Sequence, residues 1–393
     1  MTRKLSAVSL WVLALLAACS RPTVTTTTTA PSTASGPSAA INVGLAARAP
    51  DNALPERLNS TEYWQLVSDI SEPGGYFRIE DNYTSNEMEV GQLFTMLQQQ
   101  GVSGDVYMGV GPEQNFTYIA AIRPKMAFIV DIRRQAVMQH LMYKVMFELA
   151  KDRGDFISIL FGKPRPPGID SSTDIQKIWE IFRPVPSDSV LAAHNFALVS
   201  DRLTKHHGFI FTPDEAAQLR AVFNAFYFYG PNITTRGGSG GGRGGVGGDF
   251  ADLTGYAADG SGKPKSFLSS EENYRFIKTL HEKNLIVPVS GDFAGPKAVR
   301  AIGTYVKQHN SVVRAYYVSN VEQYLFGDSK DRQFYDNVAT LPVDTNSVFI
   351  RPYSMRRGGW GGPTQSLCPI GRFIKAVEAG RIVDNNYALS CGP

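Results

Sequence analysis

A strand–helix–strand succession constrains the fold of this chain more than any other feature of its sequence. The segment Asp105–Gly111 is an apolar stretch that runs into glycines, residues 113–122 have a helical pattern, and Met126–Asp131 is again continuously apolar. Strands that are buried on both faces of a parallel sheet have such unbroken apolar runs. Two strands joined by a helix within about 30 residues form a βαβ unit with a right-handed crossover.

The same alternation returns towards the C-terminus. Apolar segments at Leu285–Val289, Val312–Val318 and Val348–Tyr353 are predicted strands, and a helix is predicted from Pro296 to Gln308 between the first two. Alternating strands and helices are typical of a parallel sheet that is covered by helices. We therefore predict the α/β class, with a Rossmann-like, mostly parallel sheet and helices on both faces.

The middle of the chain has a helical pattern. One long helix is predicted over residues 134–160, and residues 170–235 are predicted to form a helical insertion without a strand. Thr212, Pro213 and Glu215 have the spacing of a capping box that starts its last helix. A glycine-rich segment follows at residues 236–249, and its composition favours a flexible surface loop over a phosphate-binding loop, because no P-loop lysine is present.

The first 18 residues are predicted to be a signal peptide. Two basic residues precede an apolar run, Leu10–Leu16, and small residues stand directly before Cys19. The run is shorter than the roughly 20 apolar residues that span a bilayer. The residues before Cys19 resemble the bacterial lipobox, in which the cysteine is acylated, so we predict an exported lipoprotein. The alternative is an ordinary signal peptide that ends near a cysteine.

Composition divides the rest of the chain into a tether and a domain. Residues 19–50 are rich in Thr, Ser, Ala and Pro, which predicts a lipid-anchored, disordered linker, and residues 51–393 are predicted to form the Rossmann-like domain. Localisation is accordingly predicted in the cell envelope, periplasmic or otherwise extracytoplasmic, with the membrane as a partner through the anchor. Without the signal the chain has 37 basic and 36 acidic residues, so nothing indicates nucleic-acid binding.

Two cysteines remain after export. Cys368 and Cys391 lie near the C-terminus, in a compartment that permits disulfides, and we predict a bridge between them. Two unpaired thiols are the alternative. No spacing of metal ligands, nucleophile elbow or Ser-His-Asp order is evident, so no metal is predicted.

Polar residues are concentrated after the predicted strands. Because ligands of open parallel sheets bind beyond the carboxyl ends of the strands, these positions are the candidate site. Candidates for catalysis are Glu113, Asp292, Asn320 and Glu322. Candidates for binding a cofactor are Gly109, Gly111 and Asp131.

The glycine pair and the acid twenty residues later suit a nucleoside. Gly109 and Gly111 would let a ligand approach the backbone, and Asp131 would accept hydrogen bonds from ribose hydroxyls. NAD is disfavoured because Gln114 stands where a dinucleotide fingerprint has its third glycine. The alternative is a tight turn with an aspartate that caps the next helix. Asp292, Asn320 and Glu322 could likewise serve only as turn or capping residues.

Four segments carry a resemblance to a known family. Tyr107–Ile119, Asp131–Gln135, Gly291–Lys297 and Val318–Tyr324 resemble a family of uncharacterised bacterial proteins with a methyltransferase-like Rossmann core. By the methyltransferase pattern, the resemblance implies S-adenosylmethionine as cofactor, with the two glycines of the first segment at its amino-acid end and Asp131 at its ribose.

Two functions follow from these observations. The first is a membrane-anchored protein with an S-adenosylmethionine-dependent methyltransferase-like domain that acts on an unknown small molecule or protein. The second is a non-catalytic ligand-binding or interaction module of the cell envelope that retains the fold. Fold alone does not choose between them, because sites carry function.

Overall fold

The structure is a computed structural model, and it describes residues 53–77, 81–237, 248–353 and 364–385, together with residues 388 and 391. These residues belong to one unit, which spans Asp51–Pro393. The predicted signal peptide and linker, at residues 1–18 and 19–50, lie outside the described residues, as does most of the glycine-rich loop.

A six-stranded sheet forms the centre of this unit. Its strands are, in chain order, β1 Val106–Gly109, β2 Met126–Asp131, β3 Ile286–Ser290, β4 Val313–Tyr317, β5 Val348–Tyr353 and β6 Thr364–Pro369. They lie in the order β3-β2-β1-β4-β5-β6. The first five strands are parallel, and β6 pairs with β5 antiparallel. The predicted α/β, Rossmann-like, mostly parallel sheet is thus confirmed.

Helices flank the sheet. They are α1 Ser60–Ile70, α2 Val90–Gln99, α3 Gln114–Ile122, α4 Arg134–Leu149, α5 Arg153–Phe161, α6 Ile175–Phe182, α7 Ser189–Asp201, α8 Pro213–Tyr229, α9 Phe250–Gly255, α10 Glu271–Glu282, α11 Ala298–Gln308, α12 Val321–Gly327, α13 Asp331–Val338 and α14 Ile370–Glu378. Every residue of β1 to β4 is buried, as expected of strands covered on both faces. Among the described residues, no helix is both long enough and apolar enough to cross a bilayer.

The regular elements described between β2 and β3 are helices. Residues 170–235 contain α6, α7 and α8, with a π-helix at Arg202–His206 and a short 3-10 turn at Gly230–Asn232. Helix α8 begins as predicted, because Thr212 accepts a hydrogen bond from the Glu215 backbone and the Glu215 side chain accepts one from Thr212. Helices α9 and α10 also lie in this part of the chain, before β3.

The single helix predicted over residues 134–160 is wrong. The structure divides it into α4 and α5, with an extended backbone at Ala150 and Asp152. The Asp152 carboxylate accepts a hydrogen bond from Asp155 N at 2.9 Å and so starts a new helix. Arg165 pairs with both aspartates, which fixes the break.

Strand β6, in the C-terminal region, is the strand among the described residues that sequence patterns did not indicate. Strand β6 is antiparallel to β5, with Cys368 opposite Phe349. Cys368 is joined to Cys391 by a disulfide, with the two Cα atoms 5.7 Å apart. The bridge ties the segment after α14 to the edge strand.

Candidate functional site

The loop after β1 is held from inside the protein. Asn115 Nδ2 donates to the backbone oxygens of Val110, Gly111 and Pro112 at 2.9, 3.1 and 2.7 Å. His140 Nε2 lies 2.8 Å from Gly111 O and donates to it, because a carbonyl can only accept. Burial lowers the pKa of His140 to about 4, so the ring is neutral at pH 7. Because these backbone carbonyls accept hydrogen bonds from buried side chains, the conformation of the loop is fixed.

Glycine is required at positions 109 and 111 for different structural reasons. Gly111 has a φ of +78°, and the nearest atom to an added Cβ would be Asn82 Nδ2, at 3.8 Å. A Cβ on Gly109 would instead overlap Asn115 Oδ1 and the ring of Tyr107. Gly111 therefore keeps open space beside a ligand-accessible loop, while Gly109 makes room for a neighbouring side chain.

A cavity of about 980 Å³ lies next to Gly111. Its wall includes residues at the carboxyl ends of four strands: Gly111 after β1, Asp131 as the last residue of β2 and Arg133 after it, Asp292 after β3, and Ser319 and Asn320 after β4. The order of the sheet reverses between β1 and β4, which is where open α/β sheets bind ligands. The structure thus brings together four predicted site residues, whereas Gly109 is not part of this wall.

Asp131 is paired within the cavity wall. Its Oδ1 accepts hydrogen bonds from Arg133 N and Nε at 2.9 and 3.0 Å, and its Oδ2 accepts one from Arg133 Nη2 at 2.8 Å. An ionised carboxylate has about four acceptor positions. Oδ2 therefore keeps an acceptor position for a ligand hydroxyl.

Asp292 combines the two roles considered for it. Its Oδ1 accepts a hydrogen bond from Ala294 N at 3.0 Å, which shapes the turn after β3. Its Oδ2 accepts one from Lys330 Nζ at 3.2 Å, and both residues line the cavity. The pair offers a ligand one carboxylate and one ammonium group.

Asn320 stands before α12 at the end of β4. It occupies the N-cap position, but its side chain makes no capping hydrogen bond. Within the part of the chain that the structure describes, its carboxamide has no hydrogen-bond partner, and the residue is exposed to the cavity. It is the strand-end side chain most available to a ligand.

Glu113 lies behind the cavity wall. It is buried, and its Oε1 accepts hydrogen bonds from Thr84 Oγ1 at 2.5 Å and from Ser85 N at 3.1 Å. Burial raises the pKa of Glu113 to about 7, against the effect of these hydrogen bonds. Direct contact with an acceptor in the cavity, as expected for a catalytic residue, is not available to it.

Glu322 is also an internal residue. Its Oε2 and Oε1 accept hydrogen bonds from Arg351 Nε and Nη2 at 2.6 and 2.7 Å, and Tyr335 donates to Oε1 at 2.8 Å. The side chains of the Glu322–Arg351 pair are 2% and 0% exposed. The pair fixes α12 to β5 and does not reach the cavity.

Sequence patterns missed a buried carboxylate under the loop that carries Asn320. Glu87 accepts hydrogen bonds from Ser319 Oγ at 2.6 Å and Gln114 Nε2 at 3.0 Å, and burial raises its pKa. Ser319 itself has a φ of +46°. Glu87 thus connects the start of α3 with the loop after β4, a contact that no local sequence pattern indicated.

Aromatic side chains were also missed at the cavity. Phe77 and Tyr324 pack edge to face with ring centroids 4.9 Å apart, and both line the cavity. In the described part of the chain, no group of three or more His, Cys, Asp or Glu side chains is arranged to hold a metal ion.

The fold and the site define an α/β protein with a Rossmann-like sheet and a ligand-sized cavity at its topological switch point. Residues 83–165 and 250–369, just over half of the chain, match the family described as a domain of unknown function, DUF7790, and the chain belongs to that family. A comparison with curated proteins gave no match.

Proposed function

We propose that the domain binds S-adenosylmethionine in the cavity at the switch point and transfers its methyl group to an acceptor. The observation that carries this proposal is that Gly111 and Asp131 line one cavity at the carboxyl ends of two adjacent parallel strands. Gly111 has a left-handed backbone conformation, and the space beside its Cα is free. A nucleoside that spans this point would lie against the Gly111 backbone and reach Asp131 with its ribose.

The ribose would be held through the free acceptor position on Asp131 Oδ2. Arg133 keeps the Asp131 carboxylate in one orientation, so binding a ligand costs little side-chain entropy at Asp131. Apolar contacts for the base are available from Ile132 and from the Phe77–Tyr324 ring pair in the same wall. The cofactor would supply an electrophilic methyl group.

The acceptor would lie towards the ends of β3 and β4. Methyl transfer needs alignment of an acceptor lone pair and no dedicated nucleophile. Of the four predicted catalytic candidates, Asp292 and Asn320 line the cavity and can orient an acceptor, whereas Glu113 and Glu322 are buried and paired.

A non-catalytic binding module of the cell envelope is the second candidate. It is favoured by the three hydrogen bonds from Arg133, which use three of the acceptor positions on the Asp131 carboxylate. Export favours it as well, since S-adenosylmethionine is made in the cytoplasm. In both candidates we propose that Cys19 carries the lipid, that the domain is exported and membrane-anchored, and that its ligand is a small molecule or a protein and not a nucleic acid.

Calorimetric titration of the purified protein with S-adenosylmethionine, S-adenosylhomocysteine and adenosine tests the proposal. Asp131→Asn should weaken binding roughly ten- to a hundredfold, because a charge-assisted acceptor is lost. Asp105→Asn is the matched control, since Asp105 also pairs with an arginine, Arg314, but at the amino end of β1. Saturable binding that Asp131→Asn weakens and Asp105→Asn leaves unchanged supports the proposal. No binding of any of the three ligands to folded wild type would favour the second candidate.

A further inference from the structure

A serine, a histidine and a glutamate form a hydrogen-bonded chain away from the cavity. Ser60 Oγ lies 2.8 Å from His207 Nδ1. His207 Nε2 lies 2.9 Å from Glu148 Oε2 and 3.1 Å from Oε1. The three residues follow each other along the chain in the order Ser, Glu, His, and they are brought together only by the packing of α1 and the π-helix on α4.

This chain of side chains lies at the opposite end of the sheet from the cavity. Helix α1 runs along β3: Tyr63 Oη donates to the backbone oxygen of Ile286, the first residue of that strand. Eight residues later, Ser71 Oγ accepts a hydrogen bond from the backbone of Ser290, the last residue of the strand. Ser60, at the start of α1, is therefore near the amino end of β3, and the two sites are separate.

The cationic side chains around Glu148 indicate which nitrogen of His207 carries a proton. Lys144 Nζ donates to Glu148 at 2.6 Å and Arg202 Nε at 3.0 Å. Burial opposes ionisation, but hydrogen bonds from His207 and Lys144 hold the pKa of Glu148 below its usual range. The ionised carboxylate can only accept, so His207 Nε2 carries a proton. In the neutral ring the Nδ1 lone pair then accepts the Ser60 hydroxyl proton, as a general base must.

Free backbone donors stand beside the serine. Asn59 caps α1: its Oδ1 accepts a hydrogen bond from Glu62 N at 2.9 Å, and its backbone oxygen accepts one from Tyr63 N. The N–H groups of Ser60 and Thr61 make no hydrogen bond to any other described residue. Two unpartnered N–H groups in the first turn of a helix can stabilise an oxyanion next to the Ser60 hydroxyl.

We propose that Ser60, His207 and Glu148 form a second active site that hydrolyses small carboxylic esters. Ser60 is partly exposed to solvent, whereas the side chains of His207 and Glu148 behind it are 6% and 4% exposed. Its Oγ would attack the ester carbonyl carbon while His207 Nδ1 takes the hydroxyl proton, and the oxyanion would lie at the N–H groups of Ser60 and Thr61. The intermediate expels the alcohol, which takes the proton back from Nδ1. Water then attacks the acyl-serine, again with His207 as base, and releases the carboxylic acid.

Labelling of the full-length protein with a fluorophosphonate probe, mapped by mass spectrometry, tests this proposal directly. We expect stoichiometric modification of Ser60 in the wild type, slowed at least a hundredfold in His207→Gln. The rate of p-nitrophenyl acetate hydrolysis should likewise be lower in His207→Gln than in the wild type, and hydrolysis should be lost in Ser60→Ala. Ser68→Ala is the matched control, because Ser68 is on the same helix and donates only to the Trp64 backbone; its labelling should equal that of the wild type.

Two results would overturn the proposal. One is the absence of Ser60 labelling in folded wild-type protein, which does not depend on the stability of any variant. The other is Ser60 labelling at the same rate in wild type and in a His207→Gln variant with an unchanged circular dichroism spectrum, since acylation would then need no base.

Discussion

Gly111 is the residue whose backbone the proposed ligand would touch. Gly111→Ala should cost about 1 kcal/mol of unfolding free energy, because φ is +78° and the space for a Cβ is free. The added methyl group should also weaken S-adenosylhomocysteine binding at least tenfold. Gly104→Ala is the control: its φ is +75° and nothing lies within 4 Å, so it should lose similar stability without any change in affinity. Equal affinities of the two variants, measured by calorimetry, would contradict a ligand at Gly111.

Glu113 should give the protein a measurable pH dependence. Its pKa is raised by burial from 4.5 to about 7, so folding favours the protonated form. The stability this contributes is fully present below pH 4.5 and is lost as pH rises through 7, by about 3 kcal/mol in total. Glu113→Gln removes the titration, so the variant should be the more stable protein at pH 8 by up to that amount. Urea unfolding at pH 4.5, 6 and 8 checks it; a difference between the two proteins that is constant with pH would contradict the buried carboxyl.

Single residues were predictable from sequence where strand geometry alone decides their position. Gly111, Asp131, Asp292 and Asn320 lie at the carboxyl ends of four parallel strands of one sheet, and they line one cavity. Glu322 also follows a strand, but its partner is Arg351 on β5, and local sequence carries no sign of that ion pair.

At the scale of the element, helix α11 is capped from far away. The Glu72 carboxylate accepts hydrogen bonds from Lys297 N and Ala298 N, both at 2.8 Å, and from Asp292 N at 3.2 Å. Glu72→Ala should therefore cost about 1 to 2 kcal/mol of unfolding free energy. Glu72→Gln, which keeps one oxygen acceptor, should cost less than Glu72→Ala. Chemical denaturation measures both, and a loss below 0.3 kcal/mol in Glu72→Ala would show that the cap is not stabilising.

Elements were predictable where the pattern is local. The capping box of Thr212 and Glu215 and the apolar runs of β1 and β2 follow from residues within a few positions of one another. The cap of α11 comes from Glu72, 226 residues before Ala298 in sequence. Strand β6 is defined by its hydrogen-bonded pairing with β5. Contacts of this range leave no periodic signal in the sequence.

At the scale of the whole molecule, the fold class follows from the alternation of strands and helices, whereas the proposed functions depend on side chains that only tertiary packing brings together. Ser60, Glu148 and His207 illustrate this: no motif joins them, yet their side chains form one hydrogen-bonded chain.

The membrane anchor is a prediction for the whole molecule. Growth with an alkyne fatty acid should label the wild-type protein and leave Cys19→Ala unlabelled, because the cysteine after the small residues of the signal is the expected acylation site. Cys368→Ala serves as the control and should be labelled like the wild type, since Cys368 is joined to Cys391. Equal labelling of the wild type and Cys19→Ala would contradict the lipoprotein proposal.

The most direct test of the proposed function is a crystal structure of the protein grown with S-adenosylhomocysteine at saturating concentration. We expect the nucleoside in the cavity, with a ribose hydroxyl within hydrogen-bond distance of Asp131 Oδ2, the backbone of Gly111 against the ligand, and the sulfur directed towards Asp292 and Asn320. A cavity without ligand density under these conditions, or a nucleoside bound elsewhere on the protein, would contradict it.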